Sequence, residues 1–151
     1  MPRCYFLGVC SGSALDQGSN NVSLFNLIEQ LNLPPSSGPG AVKPPPNGII
    51  PVELHAYWVL QPEEIGLSFQ TRFVLQSLDS GLEIPTDITQ HVSQTPRFRT
   101  RSLGLPHPPV VGDYALKVDW RSDDSEGWIR DLLTWPLSVV EVQPRPAVTM
   151  H

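Results

Sequence analysis

Arg97, Arg99 and Arg101 alternate in the stretch PRFRTRS. Side chains at i, i+2 and i+4 of a strand share one face, so this spacing predicts a row of three guanidiniums. Arginine is the side chain best matched to bidentate capture of phosphate or carboxylate. The same row would serve as a solvated face, or as cross-strand partners for Asp and Glu. It is the one basic stripe in a chain with 10 Lys and Arg against 15 Asp and Glu, so an anionic partner is expected to meet the protein there. The opposite charge gathers in DWRSDDSEG, where Asp119, Asp123, Asp124 and Glu126 surround one turn. Calcium sites draw carboxylates from such loops, which makes this turn a candidate cation site. The EF-hand spacing is absent, and a solvated polar turn is the expectation.

The remaining reactive side chains point away from catalysis. His55, His91, His107 and His151 have no ligand spacing relative to one another, and the chain carries no HExxH, GxSxG or P-loop motif. Cys4 and Cys10 form no CxxC. Lying six residues apart in one apparent strand, they are expected on the same face and about 20 Å apart, beyond disulfide reach. They read as buried free thiols in a reducing compartment. A Cys–His nucleophile pair would need a histidine brought from a distant strand, and no catalytic residue, metal or cofactor is expected. Among the four tryptophans, Trp58 and Trp120 alternate with polar residues as core positions do. Trp128 and Trp135 flank the acidic turn in an irregular segment. With Leu132 and Leu133 they form a candidate protein interface; core closure at one end of the fold is the alternative.

These residues must be held by short strands. Arg3–Ser11 alternates with both faces apolar, as an interior strand does. IIPVELHAYWVLQ sets Val52, Leu54, Ala56 and Trp58 against Glu53, His55, Tyr57 and Val59. Leu67, Phe69, Thr71, Phe73 and Leu75 are expected on one face further on, and DYALKVDW sets Tyr114, Leu116, Val118 and Trp120 together. Turn clusters separate these runs, and Pro136 is expected at a strand start or bulge. The stretch VSLFNLIEQL is ambiguous: Leu24, Phe25, Leu27, Ile28 and Leu31 also make a helical stripe. The preceding DQGSNN reads as a hairpin bend, which predicts Arg3–Ser11 paired with Val22–Leu31. LPPSSGPGAVKPPPNG, residues 33–48, is expected to be a long proline-rich loop or arm.

The 151 residues suit one domain, large enough to bury roughly 70% of its unfolded surface. The 17 prolines favour short elements and rigid loops over long helices. The expectation is a single all-β domain, an antiparallel β-sandwich of about seven strands, immunoglobulin-like in the loose sense and without the Cys…Trp…Cys signature. A net charge of −5 argues against binding to nucleic acid or an anionic membrane surface. No run reaches transmembrane length, and a cytoplasmic location is the default.

CYFLGVCSG, the turn holding Asp16 and Asn21, and VSLFNLIEQL follow one another in a familiar order. With VELHAYWVL, FQTRFVLQSLDSG and GDYALKVDW after them, the chain resembles a family of small bacterial immunoglobulin-like domains of unknown function. The SLFN segment, Ser23 to Asn26, is the specific part of the likeness. The long proline-rich loop and the longer polar turn at Asp123 to Gly127 depart from it. The resemblance implies a sandwich in a bacterial cytoplasm and no catalytic residues. The functional expectation is a non-enzymatic module that binds another protein or itself, through the C-terminal Trp-rich segment or an exposed strand edge. A small-molecule or carbohydrate binder assisted by calcium is the alternative.

Overall fold

The computed structural model describes residues 1–35, 38, 48–123 and 125–142. Most of the proline-rich stretch, Asp124 and His151 therefore lie outside the described residues. Seven strands of seven residues or more carry the periodicity visible in the sequence: β1 (Arg3–Asp16), β2 (Asn21–Leu27), β4 (Ile49–Val59), β5 (Ser68–Ser77), β8 (Arg97–Pro106), β9 (Gly112–Ser122) and β11 (Trp135–Glu141). Four pieces of two to four residues bring the total among the described residues to eleven: β3 (Gln30–Leu33), β6 (Glu83–Pro85), β7 (Thr89–Val92) and β10 (Ile129–Arg130). Such fragments are too short to show a period, which is why the expected count was lower. No α-helix occurs among the described residues, and no helix is long and apolar enough to cross a membrane.

The strands form two sheets packed face to face. One has the order β2-β1-β4-β8; the other runs β3-β11-β9-β5-β6, with β10 also on β9 and β7 on β5. The core between them joins Leu7, Val9, Leu54, Ala56 and Trp58 of the first sheet to Phe73, Leu75, Leu116, Val118 and Leu137 of the second. Removing this apolar surface from water is what favours the closed sandwich. Trp58 is fully buried, and its indole N–H donates to Thr100 Oγ1 at 3.2 Å, so the ring packs without orphaning its donor.

The hairpin expected at the start of the chain exists, with a different extent. Cys10–Asp16 pairs with Asn21–Leu27, and the first half of β1 pairs with β4 instead. Asp16 builds the bend by accepting from Gly18 N–H and Ser19 Oγ. The strand does not run on to Leu31. Asn26 takes a left-handed φ of 55°, Ile28 N–H still donates to Val9 of β1, and Glu29 C=O already accepts from Ser138 of β11. The chain thus changes sheets at Ile28–Glu29, and β3 joins β11 in parallel. The helical stripe in the sequence reflects this switch: Ile28 and Leu31, three apart on its two sides, both pack into the core.

A parity shift corrects the cysteines. The β1–β4 register slips by one residue between Cys4 and Phe6. Cys4 then lies with Leu7 and Val9 in the core, whereas Cys10 stands opposite Glu53 on the outer face. The two thiols are free and buried, on opposite faces rather than one. Proline placement follows the ladder rules. Pro51 sits where β4 carries one residue more than β8, between Ile50 and Glu53. Pro136 is the second residue of β11, before its pairing with β3 begins at Ser138.

Candidate functional site beneath the first hairpin

The outer face of the four-stranded sheet is partly roofed by its own hairpin. Beyond Cys10 the β1–β4 ladder ends, and the distal hairpin lies over β4 and β8. Ser13 Oγ donates to Glu53 Oε1 at 2.7 Å, and Arg99 Nη2 donates to Asn20 C=O at 2.8 Å. Under this roof the cross-strand register sets Cys10 beside Glu53, and His55 two residues further along β4 on the same face. The ligand atoms of Cys10, Glu53 and His55 all lie within 4.8 Å of one another. His55 Nε2 is 3.0 Å from Glu53 Oε1, and Arg101 Nη1 is 3.7 Å from the same oxygen. A cavity of about 310 Å³ opens beside them, walled by Leu15, Val22, Arg99 and Arg101.

The electrostatics decide what this cluster can do. Its hydrogen bond from Ser13, then the contacts with His55 and Arg101, hold the Glu53 carboxyl below its ordinary pKa. Burial raises the Cys10 pKa, and the Glu53 charge raises it further against a hydrogen bond from Gly12. At neutral pH the thiol keeps its proton, which is the opposite of what an activated nucleophile needs. The fold therefore brings together a cysteine and a histidine that the sequence separates by 45 positions, without poising them for attack. The signal that could have located the cluster is the pair Glu53–His55, two acceptor-bearing side chains at i and i+2 of an apolar strand. Its third member depends on strand register, which no local motif encodes.

Arg97, Arg99 and Arg101 stand opposite Val59, Tyr57 and His55, so the three share the outer face of β8. Arg99 and Arg101 have the contacts named above, and the Arg99 guanidinium also lies 5.9 Å from the Tyr57 ring. The Tyr57 hydroxyl is buried without a hydrogen-bond partner among the described residues.

Among the described residues, which leave out Asp124, the acidic turn forms no cluster of metal-ligating groups. Asp119 is 1% exposed and has both oxygens engaged, by Arg72 Nε at 2.9 Å and by Arg130 Nε at 2.8 Å. Asp123 accepts from Gln90. Paired in this way, Asp119 is closed to a cation. The guanidiniums of Arg72 and Arg121 both lie over the Trp128 ring, 4.5 and 4.2 Å from its centre. Trp135 donates to Ile28 C=O at 2.8 Å and packs near Phe6, and Leu133 rests against the core. Leu132 is 98% exposed. Leu132 and Leu133 line a groove of about 670 Å³ with Pro2, Trp120, Ile129 and Arg130; Trp128 and Trp135 are not among its walls. No family model, curated protein or solved structure matches the chain.

Proposed function

We propose that the protein is a non-enzymatic interaction module that pairs with a second copy of itself through the edge of β2, which is unpaired among the described residues. The observation that supports this most is a contrast among its strand edges. An open edge offers unpaired N–H and C=O groups, and proteins blunt such edges with charge, proline or brevity. β8 carries three arginines and ends at Pro106; β3 has four residues and runs into Pro34 and Pro35; β6 has three and ends at Pro85. β7 and β10 have four and two residues. β2 has none of these protections. It is seven residues long, NVSLFNL, with no charge and no proline. It exposes Phe25 at 52% and Leu27 at 49%, and β1 beside it exposes Leu15 at 55%.

An uncharged edge on a chain of net charge −5 lets two copies approach without direct like-charge contact, and an antiparallel β2–β2 pair would satisfy both edges. The C-terminal tryptophans support an interface less, because both are already engaged by neighbouring groups. The free buried thiols fit a reducing compartment, and a cytoplasmic location belongs to this reading.

Light scattering coupled to size exclusion tests it. The wild type is expected at twice the 16.7 kDa of one chain. Ser23→Lys and Phe25→Lys, which charge the edge, are expected to return it to one. Leu103→Lys on β8 leaves the mass unchanged. A wild type that stays monomeric at its highest soluble concentration overturns the reading.

A further inference from the structure

The cluster under the hairpin has the composition of a metal centre. We propose that Cys10, Glu53 and His55 bind one divalent cation of the zinc class, through the Cys10 sulfur, a Glu53 carboxylate oxygen and a ring nitrogen of His55. Zinc takes sulfur, nitrogen and oxygen ligands at about 2.0–2.3 Å, and three donor atoms within 4.8 Å of one another reach that geometry through small side-chain rotations. The strands already set the spacing, since Glu53 and His55 share a face of β4 and Cys10 is the cross-strand neighbour of Glu53. Thiolate and imidazole together select zinc-like ions over calcium or magnesium, which take oxygen.

Enclosure and charge agree with this. Cys10 is fully buried and His55 nearly so. A thiolate and a carboxylate would neutralise the two positive charges of the ion, so the loaded site carries no net charge into its buried setting. Ser13 Oγ, 2.7 Å from Glu53 Oε1, or a water completes four-coordination. The opposing group is Arg101, close to the same Glu53 oxygen. Its side chain is half exposed and is free to turn outward as Glu53 exchanges it for the ion. Binding displaces the Cys10 proton to solvent, so affinity rises with pH.

The test uses the full chain, stripped with a chelator and titrated with zinc against a chromophoric competitor. One zinc per chain is expected. Cys10→Ser and His55→Gln are expected to weaken it by more than about tenfold. Cys4→Ser, on the core face with its sulfur bonded to Phe6 C=O, leaves it unchanged. Cobalt provides a measurement independent of how the Cys10 and His55 variants fold. Cobalt-loaded Cys4→Ser, whose only thiol is Cys10, is expected to show thiolate-to-metal charge-transfer absorption in the near ultraviolet. The proposal is overturned by absence of stoichiometric zinc binding, by affinity that survives Cys10→Ser, or by a cobalt spectrum without the thiolate band.

Discussion

Single side chains hold the outer faces of both sheets, and their partners come from register. Asp119 faces Arg72 across β5–β9 and Arg130 across β9–β10, and Arg130 extends the pairing to Glu83. Removing the carboxylate leaves two guanidiniums crowded without their anion. Asp119→Ala is expected to cost about 3 kcal/mol in urea unfolding, the lower end for breaking a buried pair, because both arginines reach solvent. His91 sets the response to acid. Its ring lies against Phe69 and Phe98, with Nε2 2.7 Å from Thr71 Oγ1, and burial holds its pKa below the ordinary 6.5. The unfolded chain takes up this proton as the pH falls through 6.5 while the folded ring resists. Stability is therefore full above that pH and falls from there toward the folded value. Glu53 and Glu83, both lowered, the latter chiefly by its hydrogen bond from Arg130, keep their contribution until more acid conditions. Thermal melts across pH should show an early loss that His91→Gln removes and a later one that it leaves in place. Alternation in PRFRTRS was enough to place the three arginines on one face. The Cys10–Glu53–His55 cluster was not legible, because its members meet only through the β1–β4 register and the slip at Phe6.

At the scale of strands, the long periodic runs could be read directly and their interruptions could not. Phe69 to Leu75 and Tyr114 to Trp120 alternate and are buried as their spacing requires, whereas Leu67, expected on the same face, precedes β5 and is exposed. VSLFNLIEQL defeats local reading because its pattern sums two strands in different sheets, joined where Asn26 and Glu29 shift the parity. The bulge in β4 at Pro51 leaves a further mark in Gly104 on the facing strand. That residue has φ 113°, and a Cβ there would lie 2.4 Å from Ile49 Cγ2. Gly104→Ala should lose about 2 kcal/mol, within the range for a side chain forced into a sparsely populated backbone region. A urea midpoint compared with that of wild type measures it.

Across the whole molecule, surface features divide into those the fold has used and those it has left open. Leu132, at 98% exposure, touches little and should contribute little. Leu132→Glu is expected to move unfolding free energy by less than about 0.5 kcal/mol and to leave the solution mass as it was, since β2 carries the pairing. Either change, seen by calorimetry or light scattering, would return the C-terminal segment to consideration. The parallel pairing of β3 with β11 has a consequence in time. Gln30 finds its partner Ser138 only after nearly all the intervening chain has been synthesised, and contacts that close such long loops form late and slowly. Until β11 leaves the ribosome, β3 remains an unpartnered strand on a nascent chain, and the apolar half of the second sheet waits with it. Completion of the second sheet therefore waits on the emergence of β11.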